Sequence, residues 1–407
     1  MGLILFLAAA TARGETLKEP ATDWAVVIAT LKEELFRRSG HAQTRQQLAI
    51  AHNNYGVQLG DQGQWDLATQ QLEEAIQLDQ ANGQFKENLS RIYLNQAYDA
   101  HSQHQLREAA EAVRKAIELT PHFAQAHALL GEIEYSSQRL KEAKAAWQRA
   151  VELNPTQADL ARRLKQVSEE LPVESDFERL SQAYFDLRYE EQVERSVGFD
   201  IRDALMDARR SVGSDFAYWP KHKLVVLIYS AESFRRLRQE TPEWVAGQFD
   251  GKIRVPLPSG TLGQAIVRDI LFHEYTHAVV HDVAQGRCPM WLNEGLAEYE
   301  GRTQRPSPVV QLMRARERGA VIPWSSLSDQ FSAWLSREQV ALGYEESYSV
   351  VRYLIKRYGF WRMRRVLKAI GAERPWEAAL VEEYRLKLPR LETLWREWLP
   401  EWLQEGP

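Results

Sequence analysis

His273-Glu274-Tyr275-Thr276-His277, followed by Trp291-Leu292-Asn293-Glu294-Gly295-Leu296-Ala297-Glu298, is the stretch on which the reading of this chain turns. On a helix, His273 and His277 fall one turn apart, offset by only about 40° and ~6 Å, so both imidazoles can face one ion. Glu274 sits beside them, placed to handle the proton of a water without being a ligand. This is the H-E-x-x-H arrangement, in which two histidines hold zinc and the glutamate is the general base. A zinc hydrolase also needs a third protein ligand and a position left open for water. Glu294 and Glu298 repeat the i, i+4 spacing. A second helix can therefore place one carboxylate on the metal and the other behind an imidazole, fixing the tautomer of His273 or His277.

The segment from Asp269 to Glu300 resembles the active-site core of the gluzincin metallopeptidases, the class that contains thermolysin and the aminopeptidase N family. The resemblance is carried by the H-E-x-x-H pentapeptide and by W-L-N-E-G-x-A, which reads Trp291 to Ala297 here. It implies that Glu294 is the third ligand, that one Zn2+ per chain is held by His273, His277 and Glu294, and that Glu274 is the base in hydrolysis of a peptide bond. Sixteen residues separate His277 from Glu294, a shorter connection than in the aminopeptidases. The compact relatives grouped as peptidase MA-like are the better match. In these enzymes a tyrosine at the start of a later helix donates to the oxyanion. Tyr344 fits that position, with Tyr348 in reserve, on a helix expected to open at Gly343 and run to Tyr358. The Gly-x-Met-Glu-Asn segment that grips a free amino terminus in aminopeptidases is absent before His273, which favours endopeptidase action.

Other chemistries lack their letters. A metzincin requires Gly and a third His at offsets that hold Val280 and Val283, and the inverted H-x-x-E-H order is absent. His281 lies a further turn along, rotated away from His273 and near the helix end, where a histidine meets the terminal carbonyls. There is no G-x-S-x-G elbow, Walker loop or G-x-G-x-x-G fingerprint. The single cysteine, Cys288, forms no internal disulfide and reads as a small packed residue.

At 407 residues the chain exceeds the size of one ordinary core. Its 44% hydrophobic and 26% charged residues describe a soluble protein, and a net charge of -5 gives no reason to expect nucleic acid. No internal stretch is long and apolar enough to cross a membrane. Residues 1–12, apolar from Leu3 to Ala10 and ending in Ala10-Thr11-Ala12, read as a signal peptide without its basic flank. Export to a periplasmic or extracellular location follows; if the segment is not a signal, the protein is cytoplasmic.

Residues 44–171 repeat. Ala68, Ala109 and Ala143 form one column, and Ala75, Ala116 and Ala150 a second seven positions on, with Leu72, Val113 and Trp147 between them. Gly56 and Gly131 share the position where two helices approach, and Pro121 and Pro155 end their units. The last two blocks are 34 residues apart and the first two 41, the excess lying around Gln84 to Leu89. These columns resemble tetratricopeptide repeats, helix pairs that bury their apolar faces only by stacking. The segment from Ala158 to Leu171 is a capping helix, and residues 172–178 are a linker.

From residue 179 to 407 the pattern changes. Strands are expected at Leu180 to Tyr189 and Lys223 to Tyr229, with a helix from Val197 to Gly213. Asp250-Gly251 joins Ala246 to Phe249 and Lys252 to Leu257 as a hairpin. Pro256 puts the second arm at a sheet edge or at a strand end. By the gluzincin resemblance the substrate backbone pairs with an edge strand ahead of the zinc helix, and Lys252, Ile253, Arg254 and Val255 are the candidates. Leu391, Leu394, Trp395, Trp398 and Trp402 form a stripe that reads as core. The expected architecture is multidomain: an all-α tetratricopeptide-repeat solenoid followed by an α+β gluzincin-like metallopeptidase domain. The partners implied are a peptide or protein substrate and a protein held by the repeats. The alternative is a repeat scaffold or assembly factor whose zinc domain is weak or inactive.

Overall fold

The computed structural model describes residues 23–38, 41–191, 195–237, 248–257, 263–328 and 336–405, so the apolar segment at 1–12 lies outside it. The chain divides into two compact units, residues 1–133 with 149–156, and residues 134–148 with 157–407.

The helices of the repeat region pair along the chain: α2 (Ala42–Asp61) with α3 (Trp65–Leu78), α4 (Gly83–Ser102) with α5 (Leu106–Leu119), and α6 (Ala124–Ser136) before α7 (Leu140–Leu153). An additional helix, α1 (Trp24–Arg37), precedes them. It buries Ile28 and packs Trp24, Val27 and Leu31 against Leu48 and Ala51 of α2. The alanine columns are the helix contacts: Ala68, Ala75, Ala109, Ala116, Ala143 and Ala150 are fully buried, as are Leu72 and Val113. A Cβ on Gly56 would stand 2.6 Å from Leu72 Cγ, so only glycine lets α2 close on α3 there. The seven extra residues of the longer repeat are not a loop. They are helix, making α4 20 residues long against 13 in α6. Seven residues are about two turns, so the columns stay in phase.

In the second unit a five-stranded sheet has the order β1-β2-β3-β5-β4. Its strands are β1 (Glu178–Ser181), β2 (Phe185–Tyr189), β3 (Leu224–Ser230), β4 (Gln248–Phe249) and β5 (Ile253–Leu257). β2, β3 and β5 run parallel, while β1 and β4 close the two sides antiparallel. Between β2 and β3 runs α9 (Arg195–Phe216), and α10 (Ala231–Leu237) follows β3. β3 is covered on both faces: Val226 and Ile228 join α9 in the main core, while Val225, Leu227 and Tyr229 pack with Phe234, Val173 and Phe177.

The Asp250-Gly251 turn joins Gln248–Phe249 to Ile253–Leu257, with Gly251 at φ +92°, while Ala246 and Gly247 of the expected first arm lie outside the described residues. The edge assignment does not hold for Ile253 and Arg254, which pair with β3 on one side and with β4 on the other, Phe249 opposite Ile253 and Gln248 opposite Arg254. Ile253 and Val255 are core residues, and Lys252 and Arg254 are as deeply buried as they are. None of the four candidate substrate-binding side chains is presented to solvent. Pro256 sits instead near the end of its strand.

The burial of Lys252 and Arg254 has a specific partner. The helix α8 (Ala158–Glu174) continues through Pro172, so residues 172–174, expected as linker, are its last turn, and the whole of α8 falls in the second unit. Glu170 and Glu174, one turn apart, meet Arg254: Nη2 lies 3.2 Å from Glu170 and Nη1 2.8 Å from Glu174. Nη1 also donates to Tyr229 Oη at 2.5 Å and Nη2 to Tyr135 Oη at 2.7 Å, while Nε reaches Asp250 at 3.3 Å. Lys252 Nζ donates to Gln138 Oε1 at 2.6 Å and stands over the Tyr135 ring. Burial pushes the Lys252 ammonium down to about 8.

Beyond the sheet come α11 (Gly263–Ala284), α12 (Met290–Gln304), α13 (Val310–Glu317), α14 (Arg337–Tyr358), α15 (Phe360–Gly371), α16 (Trp376–Tyr384) and α17 (Leu388–Glu405). α14 begins six residues ahead of the expected Gly343, at a capping box in which Ser336 and Gln339 exchange side-chain and backbone bonds. The α17 stripe is core: Leu391, Trp395 and Trp402 are buried, and Leu394 and Trp398 pack against them. Cys288 packs on the same core.

Arg254→Met removes the cation from two buried carboxylates. A loss of about 3–5 kcal/mol in urea unfolding is expected. A change below about 1 kcal/mol would show that the cluster is not the joint described.

Candidate metal centre

α11 is buried on most of its circumference and packs against β5, α9, α12 and α15, which holds its polar residues in fixed directions. α12 lies antiparallel to it: Asp269 is beside Gly301, His273 beside Glu298, and His277 beside Glu294. Two glycines set these distances. A Cβ on Gly301 would stand 3.3 Å from the Asp269 carbonyl, and one on Gly295 would stand 2.5 Å from the Ser347 carbonyl of α14. Glycine in the Asn293-Glu294-Gly295 segment therefore admits α14 to the site.

Three candidate ligand atoms form a nearly equilateral triangle. His273 Nε2 and His277 Nε2 are 3.1 Å apart, and each lies 3.4 Å from Glu294 Oε2. Ligand bonds of ~2.0–2.2 Å in a tetrahedral zinc site put neighbouring donor atoms about 3.3–3.5 Å apart. Two imidazole nitrogens and one carboxylate oxygen are a catalytic zinc donor set. Glu294 Oε2 is buried with no hydrogen bond of its own, which also fits a ligand atom. His273, His277 and Glu294 thus fit a divalent metal with a fourth position open.

Charges in the triangle are mutually supporting. Burial pushes the His277 imidazole down, but the Glu294 carboxylate outweighs it and brings it to about 9. His273 is raised against the same opposition by the Glu294 carboxylate 3.4 Å from its Nε2. Burial alone would raise Glu294, and the two imidazoles hold it well below the ordinary carboxylate range. Glu274 is buried, with Oε2 unpartnered, and desolvation raises its pKa, the direction expected of a base that must also return a proton.

Glu298 Oε1 lies 3.5 Å from His273 Nδ1, so it is His273, rather than His277, that this carboxylate backs. Arg302 completes the chain by donating to Glu298 Oε2 at 2.7 Å. Sequence reading passed over Arg302, although Glu298 and Arg302 have the i, i+4 spacing of a helical ion pair. Tyr344 lines a cavity of about 390 Å3 together with His273, Glu274 and Glu298. Burial raises its phenol far above the ordinary value, so it keeps its proton. Tyr348 is in the core, its hydroxyl accepting from Arg352 at 2.9 Å and its ring against Trp402. His281 is half-exposed, 3.8 Å from Asp282, and is not part of the triangle.

The second unit thus combines a mixed sheet with an H-E-x-x-H helix and a glutamate helix crossing it. Residues 260–401 match the family model described as the Peptidase MA superfamily, and residues 94–158 match that of a tetratricopeptide repeat. The chain therefore carries a Peptidase MA superfamily domain and a tetratricopeptide-repeat region, a type of protein-interaction module. No curated protein matches it. Among solved structures, the first tetratricopeptide-repeat domain of Spaghetti (RPAP3) bound to the HSP90 peptide SRMEEVD is 22% identical, over 31% of this chain and 95% of that one, with a TM-score of 0.24.

One group on α12 lies outside this chemistry. Glu300 is fully buried with neither oxygen hydrogen-bonded, and desolvation, with Asp215 nearby, pushes it from 4.5 to about 8. Below 4.5 it is protonated folded or unfolded. As pH rises from there through 8, the unfolded chain releases a proton that the folded one keeps, and stability falls. Glu300→Gln stays neutral, so its melting temperature should drop less than that of the unsubstituted protein between about pH 5 and about pH 8. Equal drops would contradict the assignment.

Proposed function

We propose that the second unit is a zinc-dependent peptidase, an endopeptidase by the missing amine-gripping segment, with one Zn2+ held by His273, His277 and Glu294. The preformed triangle, with edges of 3.1 and 3.4 Å, carries the reading. Zinc in such a site acidifies water and polarises a carbonyl. Glu274 accepts the proton of the attacking water at its unpartnered Oε2 and passes it to the leaving amine. Tyr344, protonated and on the wall of the same cavity, donates to the carbonyl oxygen as negative charge develops on it. Glu298, braced by Arg302, keeps the Nδ1 proton of His273 oriented, so that Nε2 faces the metal.

The repeats are proposed to present a peptide or protein to this domain, in keeping with their class. Residues 1–12 are proposed to direct export, and N-terminal sequencing of the mature protein reads this directly, an intact Met1 contradicting it.

Incubation with unfolded casein, with and without chelator, tests the activity, and metal analysis of variants tests the roles. Glu274→Gln should keep stoichiometric zinc and lose about 10³-fold in turnover. His277→Ala and Glu294→Ala should lose the metal itself. Full zinc occupancy in both would sink the ligand assignment. Tyr344→Phe should retain zinc and lower kcat about 10²-fold. Glu298→Gln should weaken zinc affinity about 10–100-fold, and unchanged affinity would remove Glu298 from its supporting role.

A further inference from the structure

The cavity beside the triangle is walled by three helices, and their charges are ordered along it. α11 contributes Asp269 one turn before His273, and α12 contributes Arg302 on the turn after Glu298 and, at its C-cap, Arg305. α14 contributes Tyr344 and, two turns earlier, Arg337. At the inner end carboxylates predominate, with Glu274, Glu298 and Glu345 around Arg302. Arg302 donates to Glu298 at 2.7 Å and to the Ser307 carbonyl at 2.7 Å, and its guanidinium covers the Tyr348 ring. The outer end is different. Arg305 is 57% exposed and 3.8 Å from Asp269, at the limit of an ion pair. Arg337 is exposed and has no ion-pair partner among the described residues. Two guanidinium groups there face one carboxylate, so positive charge is in excess at this outer end alone.

We propose that Arg305 and Arg337 bind a carboxylate of the substrate, either an acidic side chain or the free C-terminal carboxylate. The inference rests on the peptidase reading for the statement that the ligand is a peptide. Guanidinium groups pair with carboxylates through planar, often bidentate, hydrogen bonds, and two of them on a cavity wall suit that group better than a neutral or basic one. Distance sets the register. With a rise of ~1.5 Å per residue, Arg305 stands about 16 Å along α12 from Glu294, and Arg337 about 10 Å along α14 from Tyr344. The long side chains reach back several ångströms, and an extended peptide advances ~3.3 Å per residue. The carboxylate therefore falls about two to four residues from the bond that is cut.

Matched peptides built on a mapped casein cleavage site test this: one neutral and amidated, one with a single Glu two to four residues from the scissile bond, and one neutral with a free C-terminus. Binding to the zinc-loaded Glu274→Gln protein is read by fluorescence anisotropy, and cleavage by the unsubstituted protein in parallel. The Glu peptide, the free-acid peptide or both should bind about fivefold more tightly than the neutral amide, and the arm that gains identifies the source of the carboxylate. Arg337→Glu should invert the preference toward a Lys peptide. Equal binding of all three peptides, or a preference unchanged in Arg305→Gln and Arg337→Glu, overturns the inference. Failure of the unsubstituted protein to cut any peptide or casein overturns the peptidase reading instead, and the binding comparison still decides the carboxylate site. If no cleavage site can be mapped, the same anisotropy series is run on an arbitrary extended heptapeptide.

Discussion

The antiparallel crossing of α11 and α12 is the constraint on which the second unit depends. Two histidines one turn apart on α11 meet two glutamates one turn apart on α12. The 3.4 Å approaches of Glu294 to both imidazoles and the 3.5 Å approach of Glu298 to His273 exist because Gly301 leaves no side chain between the helices. Burying these ionisable groups is costly unless they are paired. The pairing also suits the proposed ligand roles, since a carboxylate set against an imidazole in this way could share a divalent metal with it. Gly295 repeats the device toward α14 and so brings Tyr344 to the cavity.

A second buried charge cluster does comparable work away from the site. Arg254 on β5 draws in Glu170 and Glu174 of α8, Tyr229 of β3 and Tyr135, so that strand and helix are joined by charge and hydrogen bonds rather than by apolar packing alone. Such a joint is sensitive to loss of one partner and specific about register, because both carboxylates are buried and meet the same guanidinium, with the Lys252 ammonium nearby.

What could be read in the letters was what depends on spacing within one element. The i, i+4 pairs of α11 and α12, the alanine columns of the repeats, the Asp250-Gly251 turn and the aromatic stripe of α17 are all local patterns, and the structure places each as its period dictates. What could not be read depends on partners far apart in sequence. Lys252 and Arg254 look like surface residues of an edge strand until Glu170, Glu174 and Gln138 arrive from more than seventy residues away. That Tyr344 lines the cavity while Tyr348 does not depends on Arg352 and Trp402, which hold the second in the core. Two signals were legible and unused: Ser336 to Gln339 spells the capping box that starts α14, and Glu298 with Arg302 spells the ion pair behind His273.

X-ray absorption at the zinc edge of the metal-loaded protein tests the central claim most directly, since it reads the donor atoms themselves. The account predicts a four-coordinate first shell of nitrogen and oxygen donors at ~2.0–2.2 Å, two of them imidazoles with their outer-ring scattering, and no sulfur. A sulfur scatterer at ~2.3 Å, or a shell without two imidazoles, would contradict it.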